Sequence, residues 1–454
     1  MYKTFSIKTL GCKLNQYESS VIASRFIEYG WIAKPFGTKV DVVIINTCTV
    51  TDKSDKKCRN YIRQGSKFSK SGKTIVIGCL AERDPEGLKD MDEVLMVFRN
   101  NQKDIIFSEI NKLSESFNLT IGKQESESDI NHINSSYSSK TTQSYSNISS
   151  EHNMKKEYPS PLFHTRGYIK IQDGCDGQCT YCIVPSVRGK PVSRSSNEIL
   201  EHARRLIDTG CPELIFTGIT IGKYIYEQTG LAELIEKITK LKGQYRIRLT
   251  SLEPNHITDR LIEVFDNEKV CPHLHIPLQS GSDKILQLMK RPYSVKDYMK
   301  IINKIRSKHK NISIGTDIII GFPGEDEDDF RSALETIKES EFAYIHQFTF
   351  SPRSNTPASK MKQTSPPGVI RDRSELLRKI QADLTLKYRT QFQGKSISSV
   401  IEKNRNKNGF SAVSDNYIRI SLKESSKNKE MAGKICNVKM IKAGIDHNIG
   451  YINC

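Results

Sequence analysis

Three cysteines fall within eight residues at Cys175-Asp176-Gly177-Gln178-Cys179-Thr180-Tyr181-Cys182, a C-x3-C-x2-C loop preceded by Gly174. Three thiolates this close can each bind one iron of a 4Fe–4S cluster and leave the fourth iron open to a substrate or cofactor. Zinc is the rival ion, but structural zinc sites use C-x2-C pairs with a second pair at a distance, and the sequence has no second pair. The apolar run 168–172 places the loop just beyond a strand. Any fold for this chain must therefore present a tight cysteine loop at a strand end.

The rest of the chain supplies such a scaffold. Strand-like runs at 4–9, 40–46 and 74–78 alternate with helical patterns at 16–29 and 53–64. That alternation predicts an α/β domain with a parallel sheet over 3–115. Residues 116–158 read as a Ser-rich linker or insert, since twelve of the 37 residues from 114 to 150 are Ser. The sequon Asn147-Ile148-Ser149 within it is read as chance. Strand candidates then recur at 168–172, 214–217, 246–250, 274–278, 313–320 and 344–350, with helices at 196–208, 231–241, 259–265 and 295–307. Six strand–helix units over 161–390 predict a partial (β/α)6 barrel, too short for the eight-stranded form. A charged helix over 371–389 leads to 391–454, which reads as a small all-β barrel with strands at 396–402, 411–413, 417–421 and 434–443. This last segment holds eleven Lys+Arg against five Asp+Glu, and small basic barrels of this kind commonly bind RNA. The chain stops soon after the last of these strands, so a minimal barrel is expected.

The 454 residues carry a formal charge of +17, which a nucleic-acid partner explains and a basic proteome also explains. No apolar run reaches the roughly 18 residues of a membrane span, and residues 1–16 lack the apolar core of a secretory signal. A cytoplasmic location is expected, and with it ligation rather than disulfides for the eleven cysteines. Cys12, Cys48 and Cys79 each follow a predicted strand, in Thr9-Leu10-Gly11-Cys12, Ile45-Asn46-Thr47-Cys48 and Ile77-Gly78-Cys79. Ligands of open α/β sheets bind at the carboxyl ends of strands, so these three can converge. The competing reading is three buried thiols, and the shared strand-end position favours ligation. Cys58, Cys211, Cys271, Cys436 and Cys454 have no partners at ligand spacing and are read as structural.

The Cys175 loop, with Tyr181 before the third cysteine, resembles the radical S-adenosylmethionine (SAM) superfamily. The wider match is to its methylthiotransferase family. It rests on residues 9–19 (TLGCKLNQYES), 45–51 (INTCTVT), the Cys175 loop, 274–282 (LHIPLQSGS), 316–325 (TDIIIGFPGE) and 350–358 (FSPRSNTPA). The resemblance implies a flavodoxin-like N-terminal domain, a radical SAM partial barrel and a C-terminal RNA-binding TRAM barrel. It implies two 4Fe–4S clusters, an auxiliary one on Cys12, Cys48 and Cys79 and a SAM-binding one on Cys175, Cys179 and Cys182. Tyr181, Thr217, Gly218, Gln279 and Ser280 are the implied SAM-contacting residues.

Asp55-Lys56-Lys57 and Phe216-Thr217-Gly218-Ile219, followed by Gly222 and Tyr224, are similar to the bacterial branch that methylthiolates N6-threonylcarbamoyladenosine at tRNA position 37. The branch acting on N6-isopentenyladenosine carries a Gly-Gln-Asn-Val-like segment where this chain has Gly218-Ile219-Thr220-Ile221. A branch modifying a ribosomal-protein aspartate is a third option. From another class, a non-catalytic iron–sulfur RNA-binding redox sensor and a zinc-binding RNA module remain as alternatives. The implied partners are tRNA and a one-electron reductant such as flavodoxin or ferredoxin; no sulfur donor is indicated.

Other features read two ways. Gly321-Phe322-Pro323-Gly324 is a strand-end turn or a backbone approach to SAM. Ser282 joins Gln279 and Ser280 at a strand end. Arg188 is a solvated side chain or a contact to SAM or RNA phosphate. Lys403, Arg405 and Lys407 suit phosphate contact, or are simply solvated. Glu325-Asp326-Glu327-Asp328-Asp329 reads as the acidic start of a helix.

Overall fold

The computed structural model describes residues 3–112, 158–159, 165–403 and 409–453. The Ser-rich stretch 114–150, the sequon at 147–149, Arg405, Lys407 and Cys454 lie outside these.

The first domain is a five-stranded, all-parallel sheet. Its spatial order is Ile32–Ala33, Thr4–Thr9, Val42–Thr47, Thr74–Gly78, Val94–Phe98. In chain order this is 2-1-3-4-5, the flavodoxin-like arrangement, which places its ligand site where the strand order reverses between the first and third strands. Alternate side chains feed cores on both faces: Val43, Ile45 and Val76 pack on one, Phe5, Ile44, Ile75 and Ile77 on the other. The helix expected at 16–29 begins three residues earlier, as Lys13–Glu28, because Cys12 is its N-cap in extended conformation. Val40 makes only an isolated bridge to Ser69, so the strand expected from residue 40 starts at Val42. The strands Ile32–Ala33 and Val94–Phe98 are additional to those the sequence marks.

The central domain holds two parallel three-stranded groups. Gly167–Lys170, Glu213–Thr217 and Arg246–Leu249 form one, and His273–His275, Ser313–Ile320 and Tyr344–Thr349 the other. Parallel bridges Ile247↔Val270 and Ser251↔His275 join them into one open, six-stranded barrel. Its outer face packs on the helices through Phe216, Ile247, Ile276, Tyr298, Ile318 and Phe342. Helix Pro367–Thr390 runs from this barrel into the last domain.

The C-terminal strands Ser396–Lys403, Phe410–Ser414, Arg419–Leu422, Ile435–Lys442 and Asn448–Ile452 close into a barrel. The fifth strand corrects the expectation of a minimal barrel. It pairs with both Arg419–Leu422 and Ile435–Lys442, and Gly450 at its centre hid its alternation. The small barrel is seated on the amino-terminal ends of the central strands by buried charge. Glu213 accepts from Arg166, Arg246 and Arg248. Arg246 also donates to the carbonyls of Ser398 and Val413, and Arg248 to those of Ser414 and Asp415. Among the described residues, no helix is long and apolar enough to cross a membrane.

Candidate functional site

The parallel register sets the first cysteine group. Thr9 pairs with Asn46 and Thr47 with Gly78, so three adjacent strands end level, and Cys12, Cys48 and Cys79 follow those ends. Gly78 turns the chain at φ +95°, where a Cβ would lie 2.5 Å from the Thr47 carbonyl oxygen. Asn15 fastens the first two ends together, donating from Nδ2 to Leu10 O (2.8 Å) and Thr47 O (2.9 Å). Cys58, read as structural, has a more specific task. Its sulfur accepts from the Cys48 N–H and donates to the Cys48 carbonyl, both at 3.3 Å, and so fixes the Cys48 backbone.

The second group follows the strand Gly167–Lys170. Gly174 has φ +74°, and a Cβ there would sit 2.0 Å from Lys190 O, so only glycine lets the two arms of the loop lie this close. Cys175 N donates to Gly189 O (2.9 Å), Gly177 N to Cys175 Sγ (3.2 Å) and Cys182 N to Cys179 O (3.1 Å). Thr180 stitches the loop to the far side of the barrel through Met289 O, Leu288 O and Ala358 N. Arg291 Nη1 donates to Cys179 Sγ at 3.2 Å, and Arg291 also pairs with Glu253.

Both groups suit a polynuclear cluster. A single tetrahedral zinc with Zn–S bonds near 2.3 Å needs sulfurs roughly 3.8 Å apart. Among the described residues, neither group has its three sulfurs mutually within 4.8 Å. Burial pushes the Cys12 thiol up to about 11 against the opposing pull of Arg188, and the Cys182 thiol up to about 12. Cys12 and Cys182 are therefore neutral thiols when free, and their thiolates form when metal displaces the protons.

A buried ionic network joins the two groups, and its centre is Arg188. The solvated reading of this residue is corrected: its side chain is 2% exposed and faces the N-terminal domain. It pairs with Glu18 and donates to Asn15 Oδ1 at 2.6 Å. Asp173, two residues before Cys175, lies 3.7 Å from it. Lys103 supports Glu18 (2.6 Å) and Lys170 supports Asp173 (2.8 Å). Burial raises the Glu18 carboxyl, but Arg188 and Lys103 outweigh it and hold the group at about 2. A second clamp lies beside Cys48. Asp55 accepts from Thr49 Oγ1 (2.8 Å), Arg83 (2.8 Å) and Arg353 (2.7 Å). Arg353 comes from the loop after the last barrel strand, and its Nε and Nη2 are buried without a partner. Asn15, Glu18 and Arg353 lie inside the stretches that carry the family resemblance and Asp55 beside one, but no local pattern in the sequence marks these contacts.

Most of the other expected site residues lie at or just beyond strand ends of the central barrel. Thr217 ends its strand and accepts the Ile171 N–H at its carbonyl. Gly218 lies against Gln172, whose side chain ties Gly174 O to the Ile219 and Thr220 amides. Gln279 adopts φ +70° and bridges Asp317 and Ile319 by its backbone. Ser280 accepts the Ser282 N–H, and Ser282 caps the next helix. Tyr181 packs edge-on to Phe322, ring centroids 6.4 Å apart. Gly321 matches the turn reading, since its N–H goes to Glu325 and its carbonyl to Gln363. Asp326 caps the acidic helix as expected, but Glu325 is buried against Arg373 at 2.7 Å. Lys403 is exposed at the end of its strand.

An open barrel of parallel strands, with a three-cysteine loop beyond its first strand, defines a radical SAM protein. The Radical SAM superfamily pattern matches residues 169–337, and that of Uncharacterized protein family UPF0004 matches residues 4–99. This class carries a 4Fe–4S cluster and uses SAM. The chain is 33% identical to the threonylcarbamoyladenosine tRNA methylthiotransferase MtaB of Bacillus subtilis, covering 98% of this chain and 96% of that one. It is 34% identical to the enzyme of the same name from Thermotoga maritima, over 92% and 91%. A tRNA-2-methylthio-N(6)-dimethylallyladenosine synthase of Aquifex aeolicus is 32% identical over 98% and 97%. The chain belongs to the radical SAM methylthiotransferase family. Among solved structures, the radical SAM methyltransferase TsrM of Kitasatospora setae shares the fold, with a TM-score of 0.54 at 12% identity over 79% of this chain and 77% of that one.

Proposed function

We propose that this chain methylthiolates carbon 2 of N6-threonylcarbamoyladenosine at position 37 of tRNA, in the cytoplasm, with electrons from a flavodoxin- or ferredoxin-like donor. The observation that carries the reading is the pairing of two three-cysteine groups, on two domains, through one buried network centred on Arg188. A single group suffices to cleave SAM; a second beside it suits delivery of sulfur. Cys175, Cys179 and Cys182 would hold the SAM-binding cluster, which would supply the radical chemistry needed to remove an inert C–H hydrogen. Cys12, Cys48 and Cys79 would hold the auxiliary cluster, whose chemistry there would be to supply sulfur. Tyr181, Thr217, Gly218, Gln279 and Ser280 line the SAM side of the barrel mouth.

The protein's own groups position these parts. Arg188 and Asn15 tie the Cys12 helix to the short helix that follows Cys182. Arg353 and Asp55 hold the Cys48 loop to the last barrel strand. Arg291 holds Cys179. The domain limits 3–115, 161–390 and 391–454 follow these roles, and the basic TRAM barrel 391–454 grips the tRNA.

The substrate branch rests on the two relatives named for threonylcarbamoyladenosine. The test is mass spectrometry of tRNA nucleosides from cells lacking the gene, with and without its restoration. Loss and return of the methylthio form of threonylcarbamoyladenosine is expected. A response of the isopentenyl form instead would keep the chemistry and move the substrate; no response in either would remove tRNA from the reading.

A further inference from the structure

His275, Asp317 and His346 sit on neighbouring strands of the central barrel and belong to neither cysteine group. The register pairs His275 with Gly315 and Asp317 with His346. Strand side chains alternate between faces. Thr316 and Ile318, on either side of Asp317, face the outer helices, Thr316 at 3.4 Å from the Tyr298 hydroxyl and Ile318 in the apolar core. Ile345, beside His346, is in that core too. Asp317 and His346 therefore project from the inner face, where the His346 side chain is 57% exposed.

The three side chains converge on one point. His275 Nε2 is 3.0 Å and His346 Nδ1 is 3.3 Å from the same oxygen, Asp317 Oδ1, and the three atoms lie mutually within 4.8 Å. A tetrahedral ion bound at about 2.0–2.2 Å by imidazole nitrogen and carboxylate oxygen sets its ligand atoms roughly 3.3–3.5 Å apart, close to these spacings. The outer partners also fit. His275 Nδ1 is 3.2 Å from the Tyr344 hydroxyl, which is 2.8 Å from His273 Nε2. A metal-binding histidine typically donates its other N–H to such a partner. In the tautomer that donates Nδ1–H to Tyr344, the Nε2 lone pair faces a carboxylate oxygen at 3.0 Å, and a cation between them makes two bonds of that contact; in the other tautomer Nε2–H donates to Asp317.

We propose that His275, Asp317 and His346 form a site for a divalent transition-metal ion inside the barrel, with its remaining coordination position open to the lumen. Two imidazoles and one carboxylate are a zinc donor set and equally that of mononuclear iron(II) sites. Zinc is the probe of choice because it is distinguishable from cluster iron. An ion there would present a fixed positive charge and an exchangeable ligand position to whatever enters the barrel.

The test uses the full chain with its clusters reconstituted, equilibrated anaerobically with zinc, desalted, and measured for zinc, iron and sulfide. X-ray absorption then reads the zinc shell. The expected result is about one zinc per chain in a shell of nitrogen and oxygen only. His346→Ala and Asp317→Asn should each lose the zinc at unchanged iron and sulfide content. His346 is more than half exposed, so its removal leaves the core intact, and cluster content doubles as the folding control. Tyr344→Phe, which removes the hydroxyl shared by His275 and His273 and none of the three ligand groups, should weaken zinc binding by about 10- to 100-fold. Zinc absent from the wild type, retained by both ligand variants, or found in a sulfur shell overturns the proposal.

Discussion

Replacing Arg291 by Met should lower the reduction potential of the cluster held by the Cys175 loop. The guanidinium donates to Cys179 Sγ at 3.2 Å, and its side chain is 3% exposed. Reduction adds one negative charge, which a cation at this place stabilises. With an effective separation of roughly 6 Å and an effective dielectric near 20, Coulomb's law gives about 2.8 kcal/mol. For a one-electron couple that is about 120 mV. Loss of the hydrogen bond to the thiolate, and of the partner of Glu253, acts in the same direction. Glu253→Gln removes a negative charge and should raise the potential, and the double variant should fall between. The assay is a redox titration of reconstituted protein followed by electron paramagnetic resonance. An Arg291→Met potential within about 20 mV of wild type, or one shifted upward, would refute the argument.

Replacing Cys12, Cys48 or Cys79 by Ala should leave 5′-deoxyadenosine release from SAM intact and abolish methylthio insertion; loss of SAM cleavage would contradict the division of labour. Arg188→Met should destabilise the protein by about 1.5–3 kcal/mol in denaturant unfolding, because it takes the guanidinium partner from the buried Glu18 carboxylate and leaves Lys103 as its one remaining cation. Glu18→Gln in that background should recover a large part of the loss, and additive penalties would show that the pair is not coupled. Glu18 is held at about 2, below its usual 4.5, so its contribution is complete above pH 4.5 and fades as pH falls toward 2. Stability of Glu18→Gln should be flatter over that interval. Gly174→Ala, which drives a Cβ into Lys190 O at 2.0 Å, should cost at least about 3 kcal/mol locally and cut iron bound by the Cys175 loop; full iron content would show that the loop can relax.

The parts of this molecule legible in its sequence are those with a local signature. The strands Thr4–Thr9, Thr74–Gly78 and Ser313–Ile320 match their hydropathy runs end to end, because buried parallel strands are continuous apolar stretches. The cysteine groups were legible for a related reason, since a strand end fixes where a following residue must lie. Contacts between distant segments carry no such mark. Arg188 meets Glu18 across 170 residues and Arg353 meets Asp55 across 298. A lone arginine in a loop looks the same whether it is solvated or buried against a carboxylate. His275, Asp317 and His346 were likewise three separate letters until the register of three strands brought them together. Asn448–Ile452 escaped for want of alternation, and its partners, not its residues, make it a strand.

The seat of the C-terminal barrel has an evolutionary consequence. Arg246 and Arg248 grip it by main-chain carbonyls at Ser398, Val413, Ser414 and Asp415. A carbonyl is present whatever side chain its residue bears. The outer surface of that barrel can therefore drift, residue by residue, without loosening its hold on the rest of the protein. The arginines and Glu213 enjoy no such liberty, because an arginine lost leaves the carbonyls it holds without a donor and Glu213 lost leaves buried guanidiniums without their shared carboxylate.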